Sequence, residues 1–272
     1  MSDPYARKWR DAIAEDGIRL PRGLLGRGRA AARSMAISAL ALASRPAPGA
    51  FLRCLYCHYV FDDQRARFSR ALRSLQTMGQ FVDTERCMAM VRGDRPVDGP
   101  YFHLSIDDGF RNVLENGAPI LRELGIPALM LIPTDLIGTY WGPIEMLTWR
   151  GVAELRDMGI EIGSHSRTHR RLADLSREEV IEEIRGSKEE VEDRLGEACR
   201  YFSWPFGGRN DMPADAPAIL AESGYAGCFG AARGTVRVGV TDPYRIPRHH
   251  IPPEWPLSHI RFFAGGRWEV EQ

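Results

Sequence analysis

The sequence predicts a single α/β barrel, and three observations lead there. After residues 46–49, short β-rich runs alternate with amphipathic helical patterns, the rhythm of βα units in a parallel sheet. Asp107-Asp108-Gly109, His165, Pro205-Phe206-Gly207 and Arg248-His249-His250 follow the ends of those runs, on the face where a barrel builds its site. The length of 272 residues suits one such barrel with loop insertions.

The runs that read as strands cover 52–59, 101–106, 128–132, 160–164, 201–204 and 244–247. Helices are expected over 63–78, 113–124, 148–158, 177–195 and 213–223. The helix over 177–195 has the clearest pattern, because Val180, Ile184, Val191 and Leu195 recur at helical spacing among Glu and Lys, and Gly196 closes it. Residues 1–50 read as a basic N-terminal arm before a barrel of residues 51–272.

Hydrophobic residues make up 44% and charged residues 26%, enough apolar surface for a sizeable core, which excludes global disorder. A formal net charge of zero gives no field to attract nucleic acid, so no nucleic-acid partner is expected. The five cysteines, at 54, 57, 87, 199 and 228, are odd in number and scattered, unlike a disulfide framework. They favour a reducing, cytoplasmic setting. Cys54 and Cys57 form a C-x-x-C inside an apolar run that reads as a buried strand, with no second pair to complete a four-ligand zinc site.

Between Gly17 and Phe61 there is no acidic residue, whereas Arg19, Arg22, Arg27, Arg29, Arg33, Arg45 and Arg53 all occur. The apolar stretch among them, residues 35–43, is too short to cross a bilayer, which takes about 20 residues. It also lies too far from residue 1 for a signal peptide. Two readings stay open: a basic helix in peripheral contact with the inner face of an anionic membrane, or a surface helix packed on the barrel.

Two patterns carry chemistry. In His165-Ser166-Arg167-Thr168-His169 the imidazoles are four residues apart, a spacing that puts both on one face of a helical turn as paired metal ligands require. Asp107-Asp108-Gly109 sets adjacent carboxylates at a strand end, where like charges repel unless a cation offsets them. The blander account, with Asp107 as a helix cap and Asp108-Gly109 as a turn, leaves the histidines unexplained.

Ser105-Ile106-Asp107-Asp108-Gly109 resembles the S/T-F-D-D-G motif of the NodB-homology polysaccharide deacetylases, and residues 165–169 match their H-[ST]-x-x-H. The similarity runs over most of residues 51–262 and includes Tyr56-Cys57-His58 and Pro205-Phe206-Gly207. The resemblance implies a distorted (β/α)7 TIM-like barrel and a divalent metal cofactor, zinc foremost. It implies hydrolysis of an N-acyl group, chiefly N-acetyl, from an amino sugar in a bacterial glycan or lipid-linked glycan precursor. Deformylation, cleavage of another small amide or ester, and silent glycan binding are the alternatives. Carried over, Asp107 is the general base, and Asp108, His165 and His169 are the metal ligands.

Two departures qualify the match. The family's R-x-P-Y is Ser203-Trp204-Pro205-Phe206 here, so its arginine is missing and Arg248 is expected to orient Asp107 instead. The family's L-x-H is echoed by Leu257-Ser258-His259, yet His249 and His250 emerge beside Arg248. Strand alternation sends these two to opposite faces, and His250 is preferred as general acid over His249 and His259. Trp204, Pro205, Phe206 and His249 are expected at the substrate. Trp141 and Trp149 stack on sugar or lie in the core, His58 lines the pocket or is buried, and His103 reads as structural.

Overall fold

The computed structural model describes residues 6–9, 12, 32, 34–41, 49–267 and 269. In chain order the elements are β1 (Phe51–Cys57), α1 (Arg65–Gln76), β2 (Gln80–Phe81), α2 (Thr84–Arg92), β3 (Pro100–Ile106) and α3 (Ala118–Leu124). There follow β4 (Leu129–Ile132), β5 (Tyr140–Trp141), β6 (Ile144–Glu145), α4 (Trp149–Asp157), β7 (Glu161–Ser164) and α5 (Arg177–Leu195). The chain continues through β8 (Tyr201–Ser203), α6 (Ala216–Glu222), β9 (Gly227–Phe229), β10 (Arg248–His250) and α7 (Leu257–Ala264).

Seven strands run parallel in the order β10-β1-β3-β4-β7-β8-β9, with β2 added to β3. A parallel bridge from Phe229 to Ile246 brings β9 to the segment entering β10, so the sheet curls back on itself as a distorted seven-stranded barrel. Alternation along the strands sorts the side chains. Leu55, Cys57, Leu104 and Ile106 face outward into a core shared with Phe68, Leu72 and Leu75 of α1. Inside the barrel, Cys54 is level with His103 and Arg248, and Tyr56 is level with Ser105 and His250. The strands approach so closely at Gly163 that a Cβ there would meet the Tyr201 carbonyl oxygen at 2.7 Å.

Local signals end the helices where the sequence places them. Ser176 and Glu179 form a capping box at the start of α5, and Gly196 closes it at φ 69°. Thr148 caps α4 by accepting from the Gly151 N–H.

The differences have local causes. The strand expected at 244–247 is β10 at 248–250, because Pro247 has no N–H for the ladder and only Ile246 bridges to β9. The expected helix over 113–124 divides into a π-helical turn, Val113–Gly117, and α3, with Pro119 in its first turn. Strand β9 is Gly-Cys-Phe, too short to show alternation, and α2 and the β5–β6 hairpin were not anticipated. Cys54 and Cys57 lie on opposite faces of β1, both buried.

Of the arm, residues 34–41 are helical. Ile37 packs on Phe262 and Phe263, while Met35 and Leu40 are exposed. Arg19, Arg22, Arg27, Arg29, Arg33 and Arg45 lie outside the described residues. Among the described residues no helix is long and apolar enough to cross a membrane.

Candidate active site

Asp107 and Asp108 follow β3, and the chain turns at Asp108 through φ 74°. The turn sends the two carboxylates to different partners. The Asp107 oxygens each accept a 2.7 Å hydrogen bond from Arg248, one from Nη1 and one from Nη2. The guanidinium is fully buried and saturated: Nε donates to the Gly230 carbonyl at 2.6 Å, Nη1 to Ser105 Oγ and Nη2 to Ser203 Oγ, both at 2.8 Å, and its plane lies over Tyr56. Burial works against the Asp107 charge, but Arg248 outweighs it and holds the carboxyl below its usual range. Arg248 thus stands where the missing arginine was expected to be replaced.

Asp108 faces the histidine pair. Its Oδ1 lies 3.5 Å from His165 Nε2 and 3.3 Å from His169 Nε2. One donor atom from each of the three residues falls within 4.8 Å of the others. His165 Nδ1 is 2.7 Å from the Ser203 carbonyl oxygen, which can only accept, so this nitrogen carries the proton and Nε2 presents its lone pair. His169 Nδ1 is buried without a hydrogen-bond partner, and the ring is held instead by Trp141 edge-on at 4.9 Å and Phe206 at 5.4 Å. A carboxylate oxygen and two imidazole nitrogens, one with its tautomer fixed, suit a divalent ion of borderline softness.

The loop bearing His169 is tied from outside. Glu183, buried on α5, accepts from the Arg167 and Thr168 N–H groups at 2.8 and 2.9 Å and from the Thr168 hydroxyl. Ser166 Oγ accepts from the His169 N–H at 3.1 Å. The signal for Glu183 was a charged residue on the apolar stripe of Val180 and Ile184. Glu183→Gln should weaken divalent-ion binding about 10- to 100-fold, the usual effect of loosening a ligand's outer support, as a competition assay with a chromogenic chelator would measure.

Backbone strain concentrates here. Among the described residues the non-glycine residues with positive φ are Asp108, Ser166, His169 and Phe206, at 74°, 68°, 59° and 65°. Each costs on the order of 1–3 kcal/mol and persists only where its surroundings impose it.

The remaining expected residues divide by strand face. His250 points inward with Arg248, stacks on Tyr56 at 4.8 Å and places Nε2 3.2 Å from His58 Nδ1. Burial first, then the charges of His58 and Arg233, push His250 well below the usual imidazole range. Phe206 is exposed at the rim above buried Pro205. Two of the expected substrate contacts are corrected. His249 faces outward between its two inward neighbours, fully buried, with Nε2 3.2 Å from the Gly234 carbonyl and 3.4 Å from Glu269. Trp204 likewise points away because Ser203 points in, and its Nε1–H donates to the Gly208 carbonyl at 3.0 Å. His259 is 3.0 Å from both Ser34 O and Ser38 Oγ, beside the N-terminal helix. Trp149 caps the core beneath Arg194, and Trp141 is the tryptophan at the histidines.

The fold is shared with solved structures. IcaB from Ammonifex degensii superposes with a TM-score of 0.71 at 22% identity, over 80% of this chain and 98% of that one. The Streptococcus pyogenes deacetylase PplD, in complex with acetate, gives 0.68 at 17% identity over 78% and 97%. A de-N-acetylase from Aggregatibacter actinomycetemcomitans gives 0.65 at 19% over 78% and 99%. No curated protein matches the sequence. The family model for polysaccharide deacetylases matches residues 94–226, the stretch that holds both aspartates, both histidines and the Pro-Phe-Gly turn. With that match on this barrel, the central part of the chain is similar to the polysaccharide deacetylases, a family of hydrolases that act on amide bonds, and the fold is theirs.

Proposed function

We propose that the protein removes an N-acetyl group from an amino sugar of a bacterial glycan or lipid-linked glycan precursor, with a divalent ion, zinc foremost, held by Asp108, His165 and His169. The observation that carries this reading is the division of the adjacent aspartates, one facing two imidazole nitrogens and the other locked on Arg248. When bound, the ion supplies Lewis acidity toward the amide carbonyl and acidifies water.

The chain's own groups do the rest. Arg248 keeps Asp107 anionic and fixed, and a carboxylate has lone pairs beyond the two the guanidinium engages, so it can take the proton of the attacking water. The leaving amine needs a proton, and the His58–His250 pair lies across the site from the histidine ligands. His250 is neutral at rest, so it would hand on to the leaving amine the proton that Asp107 has taken from water. Trp141 and Phe206 frame the mouth with flat apolar faces of the kind that pack on sugar rings. The basic arm would hold the enzyme at the cytoplasmic face of a membrane, where lipid-linked precursors are presented.

The deciding experiment offers metal-loaded protein a panel of N-acetylated oligosaccharides and lipid-linked amino sugars and measures released acetate. Acetate that disappears with chelator and returns with zinc is the expected result. Release of formate alone would move the substrate to formamides, and glycan binding without release of any acid would end the hydrolase reading.

The pKa directions give this site a pH signature. Burial opposes charge on His165, but the hydrogen bond to Asp108 and the Asp107 charge prevail and raise its pKa above the ordinary value. In metal-free protein a raised folded pKa adds stability that is complete below the unfolded value and is lost as pH rises through the folded one. Ion binding requires the unprotonated ring, so it contributes the opposite slope. Thermal melts should therefore show zinc stabilisation growing with pH through and above the usual imidazole range; a zinc effect independent of pH would remove His165 from the ligand set.

A further inference from the structure

A second cluster of metal-ligating side chains lies inside the barrel, level with the backbone of Arg248 and four residues before Asp107 along β3. Cys54 of β1, His103 of β3 and Cys87 of α2 present two sulfurs and a ring nitrogen within 4.8 Å of one another, and all three residues are at most 1% exposed. Cys54 and His103 are register partners on the inward faces of adjacent strands. Cys87 comes from α2, whose Met88, Met90 and Val91 share a core with Leu52, Tyr101, Leu129 and Tyr201 near the strand starts. The helix therefore closes the end of the barrel remote from Asp108.

Packing alone does not account for these residue types. His103 stacks on Phe229 at 5.1 Å with planes 10° apart, and its Nε2 lies 3.2 Å from Thr84 Oγ1, yet its Nδ1 is buried with no hydrogen-bond partner. An unmet ring nitrogen in a dry interior carries a desolvation penalty that an apolar residue would avoid. The sulfurs are 3.7 Å apart. Tetrahedral zinc with Zn–S bonds of about 2.3 Å sets its thiolates about 3.8 Å apart, so the pair already has the edge length of such a site.

We propose that Cys54, Cys87 and His103 Nδ1 bind a structural divalent ion of zinc-like softness, separate from the ion at Asp108. Charge balance selects the ion: two thiolates and a neutral imidazole cancel two positive charges, and a neutral assembly is what a water-free interior tolerates. A monovalent copper ion would leave an unbalanced negative charge. With Nδ1 on the ion, Nε2–H donates to Thr84 Oγ1, the outer support that ligating histidines ordinarily have. The ion enters as the chain folds, the protons of both thiols leave to solvent, and α2 is fastened to β1 and β3.

Cobalt distinguishes the two sites, because only a thiolate site gives an intense near-ultraviolet thiolate-to-cobalt charge-transfer band. The full-length chain would be produced in cobalt-supplemented medium and its spectrum and metal content measured. The band should appear in the unaltered protein, persist in Asp108→Ala and Cys57→Ser, and vanish in Cys87→Ser. Metal content should fall from about two ions per chain to about one in Asp108→Ala and in Cys87→Ser. If Cys87→Ser does not fold, the Asp108→Ala spectrum decides alone. Bound cobalt without the band, a band retained in Cys87→Ser, or recovery of Cys54 and Cys87 as a disulfide would each overturn the proposal.

Discussion

Asp107→Asn is expected to lose about 10²- to 10⁴-fold in acetate release while its divalent-ion content stays unchanged. The amide cannot accept the proton of the attacking water, but Asp108, His165 and His169 are untouched. The same variant should be less stable, because Arg248 then has no anion to offset its buried charge, and losing one member of such a pair costs about 3–5 kcal/mol. Turnover must therefore be measured on protein shown to be folded by circular dichroism at the assay temperature. Asp108→Asn should behave differently, with metal content falling and activity recovering in part at high zinc. If the two variants gave the same zinc titration, the assigned division of labour between the aspartates would be wrong.

The second large effect is on Arg248. Complete burial and five hydrogen bonds to Asp107, Ser105, Ser203 and Gly230 make this side chain a structural post as well as the partner that fixes Asp107. Arg248→Met should destabilise the fold by about 3–5 kcal/mol at neutral pH. Arg248→Lys keeps the charge but cannot reproduce the two-pronged contact, so it too should lose turnover. The pH dependence follows from Asp107. In the unaltered protein the depressed carboxyl contributes stability above its unfolded pKa that is lost as pH falls through the folded one. Without Arg248, burial governs and the folded pKa rises, so the deficit of Arg248→Met should shrink toward acid pH. Adding Asp107→Asn should restore part of the stability at neutral pH. Denaturant melts of the single and double variants at several pH values would reveal a uniform deficit, which would mean that the ion pair is not its source.

Legibility in the sequence followed the range of each signal. Helix α5 could be placed residue for residue because its stripe, Ser176 cap and Gly196 stop are all local. Asp107, Asp108, His165 and His169 were visible because each motif is contiguous and stands at a strand end. The resemblance implies an arginine for Asp107 that the third motif lacks, and Arg248 at another strand end is the natural substitute, but its bonds to Ser105 and Ser203 depend on barrel register that no local pattern encodes. The failures have one physical root. His249 and Trp204 lie outside the pocket for the same reason, because each follows a residue that points inward and successive strand residues face opposite ways. Moving β10 past Pro247 made Arg248 through His250 part of the ladder and fixed which histidine faces the site. Glu183 and Cys87 escaped notice for a different reason: each meets its partners only through contacts between a helix and distant loops or strands.

The left-handed residues around the site also bear on descent. At Asp108, Ser166, His169 and Phe206 glycine would adopt the observed backbone with little strain, and drift unopposed by use would tend toward it. Each carries a side chain that makes its own fold less comfortable. A lineage of this barrel in which those positions have relaxed to glycine would thus register, in its backbone preferences alone, that selection for the chemistry had lapsed, even where His165 and Asp107 survive. Counting glycines at these four turns is a test of disuse that requires no assay and no knowledge of the sugar.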